Sequence, residues 1–109
     1  MSEAASHGAV CPYYHQAAEL IGRRWTGAVL RSLADGACRF GEITERVPGI
    51  SDRMLSERLK ELEAEGLVTR EVFAEHPVRI EYRLTEKGRD LDTVMAAIAG
   101  WAHRWLTPR

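Results

Sequence analysis

The sequence predicts a mainly α domain with one small β-hairpin, set between four short helices and a long final helix. Three observations predict it. Apolar residues recur at helical spacing in five segments. Two short alternating segments, LVTREVF and RIEYRL, stand five residues apart, as the arms of a hairpin would. Turn-forming residues, Gly22, Gly36, Pro48-Gly49 and Gly66, fall at the ends of the periodic segments.

Residues 1–10 are small and polar, lack periodicity and read as a flexible tail, leaving 11–109 as the domain. Cys11 and Pro12 open the first helix, because proline at the first helical position lacks only a donor that would be unpaired there. Tyr13, Ala17, Leu20 and Ile21 share its face until Gly22. A second helix follows Arg24, with Trp25, Val29, Leu30 and Leu33 on one face and Gly36 as its stop. Phe40, Ile43 and Val47 mark a third, ended by Pro48-Gly49. Ser51 is placed to cap a fourth, from about Asp52 to Glu65, with Leu55, Leu59 and Leu62 in a stripe and Gly66-Leu67 closing it.

In the hairpin, Val68 and Val72 alternate with polar residues, as do Ile80, Tyr82 and Leu84, and AEHPV forms the turn. Thr85 caps the last helix. Its stripe of Leu91, Val94, Met95, Ile98, Trp101, Ala102 and Trp105 is longer than one small domain needs for its own core.

With 109 residues, 45% of them hydrophobic and 28% charged, the chain suits one ordinary folded domain for which oligomerisation would be a natural supplement. No apolar run approaches the roughly 20 residues of a membrane span, and the start lacks the features of a signal peptide. A cytoplasmic location is expected, with Cys11 and Cys38 as thiols. The net charge of −1 runs against nucleic-acid binding, and the stretch 39–83 holds eight Arg and Lys against ten Asp and Glu. Affinity for DNA would require charges sorted onto one face.

The order helix, tight turn, helix, hairpin is that of a winged helix-turn-helix, in which one helix enters the major groove. Opposite its leucines the fourth helix carries Arg53, Ser56, Glu57 and Lys60, with Ser51 at its N-terminal end. Arg53 is the leading base reader, since a guanidinium pairs two-pronged with guanine, and Ser51, Ser56 and Lys60 would hold phosphates. Glu57 would accept from cytosine or simply repel. The same composition also describes an ordinary solvated face. Arg79 and His76 lie beside the hairpin tip, where a wing reaches the minor groove or flanking phosphates, with Arg70 and Arg83 in support.

Together these segments resemble the HxlR family of bacterial winged-helix regulators, related in architecture to the MarR proteins. The likeness spans nearly the whole chain after residue 10. It rests on Cys11-Pro12, IGRRWTGAVLRSL, RFGEITERVPGIS, MLSERLKELEAEGLVTRE, HPVRIEYRLTEKG and Trp101. The resemblance implies a homodimer joined by its first and last helices, with Tyr13, Val94, Ile98, Trp101 and Trp105 at the interface. It further implies two recognition helices in successive major grooves, an inverted-repeat operator in double-stranded DNA, and control of nearby promoters, here expected to be repression.

Members resembling this chain sense electrophiles or oxidants through the cysteine corresponding to Cys11. A cysteine at a helix N-terminus has a physical reason to be reactive, because the helix dipole and open amides favour thiolate. The other reading of Cys11 is a small buried interface residue. Cys38 departs from the family pattern, where a polar residue precedes Arg39-Phe40, and reads as incidental. Cys11 with His15 gives two metal ligands, short of a three- or four-ligand site, and His7, His76 and His103 are scattered, so neither metal nor cofactor is expected. Two alternatives stand beside DNA binding. One is a winged-helix module that binds protein. The other is a thiol enzyme, for which neither a partnered base nor a glycine-rich loop is evident, so no catalytic residue is expected.

Overall fold

The computed structural model describes residues 8–108. Most of the expected tail, positions 1–7, and the final Arg109 lie outside the described residues, and Gly8 to Val10 lead into the first helix without regular structure. The elements are α1 (Pro12–Gly22), α2 (Thr26–Ser32), α3 (Phe40–Arg46), α4 (Asp52–Ala64), β1 (Val68–Phe73), β2 (Arg79–Leu84) and α5 (Glu86–Trp105). This is the winged helix-turn-helix order that the sequence predicts.

Pro12 begins α1, Cys11 is its N-cap, and the Cys11 carbonyl accepts from the His15 N–H at 3.0 Å. The junction to α2 differs from expectation. Trp25, read as part of the second helix, precedes it in a left-handed conformation with φ of 75°. A side chain in that region costs roughly 1–2 kcal/mol. The indole offsets this by packing on the core below the Arg24 guanidinium, 5.0 Å from the ring centroid. Its ring edge lies over Gly49, where a Cβ would come within 3.6 Å. Gly49 has φ of +91° and makes the turn that leads into α4.

The two α4 ends are closed as the residue types dictate. Ser51 Oγ accepts from the Met54 N–H at 3.0 Å. At the other end the Leu67 N–H reaches the Leu62 carbonyl at 2.9 Å and the Gly66 N–H reaches Glu63 at 3.0 Å, with Gly66 at φ of +74°. Leu62 and Leu67 are both buried, which completes the apolar contact of this type of stop. The core is built from Val29, Leu30 and Leu33 of the second helical segment, Ile43, Val47 and Ile50, the α4 leucines, and Val68, Tyr82 and Leu84 at the base of the hairpin.

The strands are antiparallel, in register from Val68 with Leu84 to Phe73 with Arg79. Val72 continues the face of Val68 yet is exposed, because the hairpin runs out beyond the edge of the core. Cys38 supplies a feature not foreseen. Its N–H and carbonyl bond the Tyr82 carbonyl and N–H at 2.9 and 2.8 Å, adding an isolated bridge along β2.

Helix α5 is fastened at its root and free beyond it. Thr85 Oγ1 accepts from the Gly88 N–H at 3.0 Å and donates to the Gly66 carbonyl at 2.6 Å. Arg31 of α2 donates to both Asp92 carboxylate oxygens at 2.9 and 3.1 Å. Leu91 packs on the core and Met95 is buried. Past Met95 the helix projects, which explains a radius of gyration of 16.1 Å against roughly 13 Å for a compact chain of this length. Val94, Ile98, Trp101 and Trp105 remain open, the two tryptophans at 58% and 64% exposure. Tyr13 and Tyr14 of α1 are likewise exposed, and α1 buries no residue at all. No helix of the described residues is long and apolar enough to cross a membrane.

Candidate nucleic-acid interface

The leucine stripe of α4 is sealed against the core, so the opposite face of the helix must point outward. Arg53 stands on that face with its side chain 89% exposed, and among the described residues its ion pair is with Glu57 one turn later, at 3.5 Å. Such a solvated pair contributes little and is readily exchanged for another partner. Lys60 is exposed and makes no ion pair among the described residues. Ser56 is half-buried beside the stripe, and Ser51 combines a capping bond with an exposed position at the helix start. Thus Ser51, Arg53, Glu57 and Lys60 share one open surface, with Ser56 at its margin. Nothing in the described chain covers it.

The wing has a different character. On its outward face Arg83 Nε lies 3.3 Å from Glu71, and Arg79 lies 3.3 Å from Glu75 and 3.1 Å from Glu81. The Arg79 guanidinium also stacks over Phe73 at 4.2 Å, leaving the side chain 28% exposed. Its Nε is close to Glu81 without being aligned to donate, so it is buried with no hydrogen bond. Arg79 is therefore engaged inside the hairpin. His76 is exposed at the tip, next to a cis bond to Pro77, and Arg70 is exposed without an ion pair among the described residues.

The two thiols occupy unlike surroundings. Cys11 is partly exposed at the N-cap of α1. Cys38 is buried, its Sγ 3.5 Å from the Ser32 carbonyl and 3.3 Å from Arg46 Nη1, which also bonds the Ser32 carbonyl at 2.9 Å. Burial pushes the Cys38 thiol above its ordinary value, outweighing the opposing pull of Arg46. Far from incidental, Cys38 knits α2, α3 and β2 together. His15 lies 3.4 Å from Glu19. Among the described residues no group of three or more His, Cys, Asp or Glu side chains could hold a metal ion.

One residue of consequence escaped the sequence reading. Arg58 of α4 is buried, donating from Nε to the Arg24 carbonyl at 2.8 Å and from Nη1 to Glu61 at 3.1 Å. The signal was available. Arg58 falls three residues after Leu55 and four before Leu62, on the inward stripe, where a charge must find partners.

Comparison with known proteins agrees with this geometry. Residues 20–109 match the family model described as HxlR-like helix-turn-helix. The "HTH-type transcriptional regulator YodB" of Bacillus subtilis is 46% identical over 99 residues, covering 91% of this chain and 88% of that protein. An uncharacterized regulator of the same organism, YvaP, is also 46% identical, covering 91% and 92%. Among solved structures, reduced YodB superposes with a TM-score of 0.79 over 93% of this chain and 99% of that one. YodB has also been solved bound to quinone, with a TM-score of 0.74 at 44% identity over 87% and 100% of the two chains. The redox regulator HypR in its oxidized form is 37% identical, with a TM-score of 0.81 over 90% and 100%. The chain belongs to the HxlR-like helix-turn-helix family of transcriptional regulators.

Proposed function

We propose that the protein is an operator-binding repressor that acts as a homodimer and responds to electrophiles or oxidants through Cys11. The observation that carries the DNA-binding reading is the open polar face of α4, held rigid by its buried leucines and capped at both ends. The wing pairs Glu71, Glu75 and Glu81 with its own Arg79 and Arg83, so the positive charge offered to DNA rests on Arg53 and Lys60 of α4 and on Arg70. Arg53 reads a base edge, while Ser51, Ser56 and Lys60 hold phosphates and Glu57 tunes the choice of base. In the wing, His76 at the tip is free to approach the backbone. Arg79 would have to leave two carboxylates to do so, and its larger part is to stiffen the hairpin.

Arg53→Ala is expected to weaken operator binding by about 1–3 kcal/mol and relax base preference at one position in each half-site. Titration against selected duplexes measures both; an unchanged affinity and preference would remove Arg53 from the interface. Operator binding that weakens steeply with added salt would separate this reading from a protein-interaction module, since phosphate contacts release condensed counterions.

Homodimerisation is supported by the open faces of α1 and α5, where Tyr13, Val94, Ile98, Trp101 and Trp105 are too large and too numerous to be left in water. The sensing role is supported by the contrast between the two thiols and by the relatives solved with quinone or in an oxidized form. In the native protein Cys11 should react with maleimide while Cys38 is spared until unfolding. Cys11→Ser should bind DNA normally and lose any release by quinone, diamide or hypochlorite; a variant still released by these reagents would rule out Cys11 as the sensor.

A further inference from the structure

Helix α1 carries Cys11 at one end, yet it does not pack along its length on the recognition helix. The two helices flank an open groove of about 520 Å³ whose apolar lining includes Leu20 and Leu62. An ion pair joins α4 to the junction after α1. Glu61 of α4 lies 2.9 Å from Arg23, the residue that follows α1, and 3.1 Å from Arg58. Arg58 is 9% exposed in its side chain and donates to the Arg24 carbonyl at 2.8 Å. A buried guanidinium is costly unless its donors are paired, so its position is dictated by these partners. The ring edge of the next residue, Trp25, lies over Gly49 in the turn before α4. The α1–α2 junction therefore grips α4 through Glu61 and Arg58 and the approach to α4 through Trp25. α1 buries no residue fully, and Leu20 is partly buried against the core cluster that includes Leu62.

We propose that Arg58 is a positioning residue that, with Glu61 and Arg23, forms a strut by which α1 sets the pitch of the recognition helix. The strut makes a displacement of α1, whether from the dimer interface or from Cys11, mechanically legible at Arg53. This inference rests on the reading of α4 as the DNA-reading helix.

Two variants test it. Glu61→Gln keeps the side-chain size but removes the carboxylate that pairs the buried Arg58 and reaches Arg23. Arg58→Lys keeps the charge but replaces the rigid planar fork, whose Nε and Nη1 serve the Arg24 carbonyl and Glu61 separately, with a single flexible ammonium. In each folded variant, operator affinity should fall about tenfold while affinity for unrelated duplex DNA is unchanged. Amides from Asp52 to Leu59 should exchange hydrogen several-fold faster without DNA present. A purely structural role would lower both affinities together or neither, and either pattern overturns the proposal. Should the wild-type protein show no operator preference, the DNA-reading assignment fails, and amide exchange alone decides the strut. Unchanged α4 exchange in Glu61→Gln then overturns it, and faster exchange upholds it.

Discussion

Gly88→Ala is expected to destabilise the fold by about 3 kcal/mol and to lower Tm by roughly 12–20 °C. On helix propensity alone the change should help, since alanine is favoured over glycine by about 1 kcal/mol in a helix. The surroundings reverse the sign. A Cβ at Gly88 would overlap the Leu67 carbonyl oxygen, and would come within 3.1 Å of its carbon and 3.2 Å of Leu84 Cδ2. Leu67 cannot give way, because its carbonyl accepts the Thr85 N–H at 3.0 Å and its side chain lies in the core. The first turn of α5 would have to lift away from the hairpin root, and the Thr85 cap would go with it. Gly41→Ala is the matched control. It is also helical, it meets nothing within 4 Å, and it should raise stability by about 0.5–1 kcal/mol. Thermal or denaturant unfolding of the two variants checks the pair.

The second large effect concerns assembly. Ile98→Asp combined with Trp101→Ala should yield a folded monomer whose operator affinity is lower by about 100-fold or more, because two linked half-site contacts become independent ones. Both side chains are open in the protomer, so replacing them removes no core contact. Sedimentation would show the change of mass, and circular dichroism would show the retained helix. A dimer persisting in this double variant would place the interface elsewhere. The arrangement of α5 favours the outcome predicted here. Its root is held by Asp92, Leu91 and Met95, while its distal half leaves Trp101 and Trp105 exposed.

Much of this architecture was legible in residue order alone, and the reasons are local. Ser51 and Gly66 announce the ends of α4 because capping and left-handed stops depend on side chains a few residues apart. Leu55, Leu59 and Leu62 reveal the buried face by spacing, and the exposed face follows from it. What stayed hidden depends on distant partners. Trp25 takes a conformation that its type disfavours, and the packing of its indole on the core, which offsets the cost, is formed by residues distant in the sequence. Cys38 reads as incidental by residue type, and its place in the fold follows from the backbone bridge to Tyr82 and the contact with Arg46. Arg79 seemed available for DNA because the sequence does not show that the hairpin register sets it opposite Phe73 and between Glu75 and Glu81. Arg58 lies inward by its phase in the leucine stripe, but charges on helices are ordinarily solvated, and its burial is explained only by the distant Arg24 carbonyl together with Glu61.

The central claim is that α4 presents Arg53 to base edges in the major groove. Protection of guanine N7 from methylation, on duplexes selected by the protein from genomic fragments, tests it most directly, since N7 lies on the major-groove edge. Two protected guanine clusters per bound dimer are expected, about one helical turn or a whole multiple apart, each weakened when Arg53 is replaced by alanine. Tight binding that leaves every N7 accessible, or protection indifferent to the loss of Arg53, would contradict it.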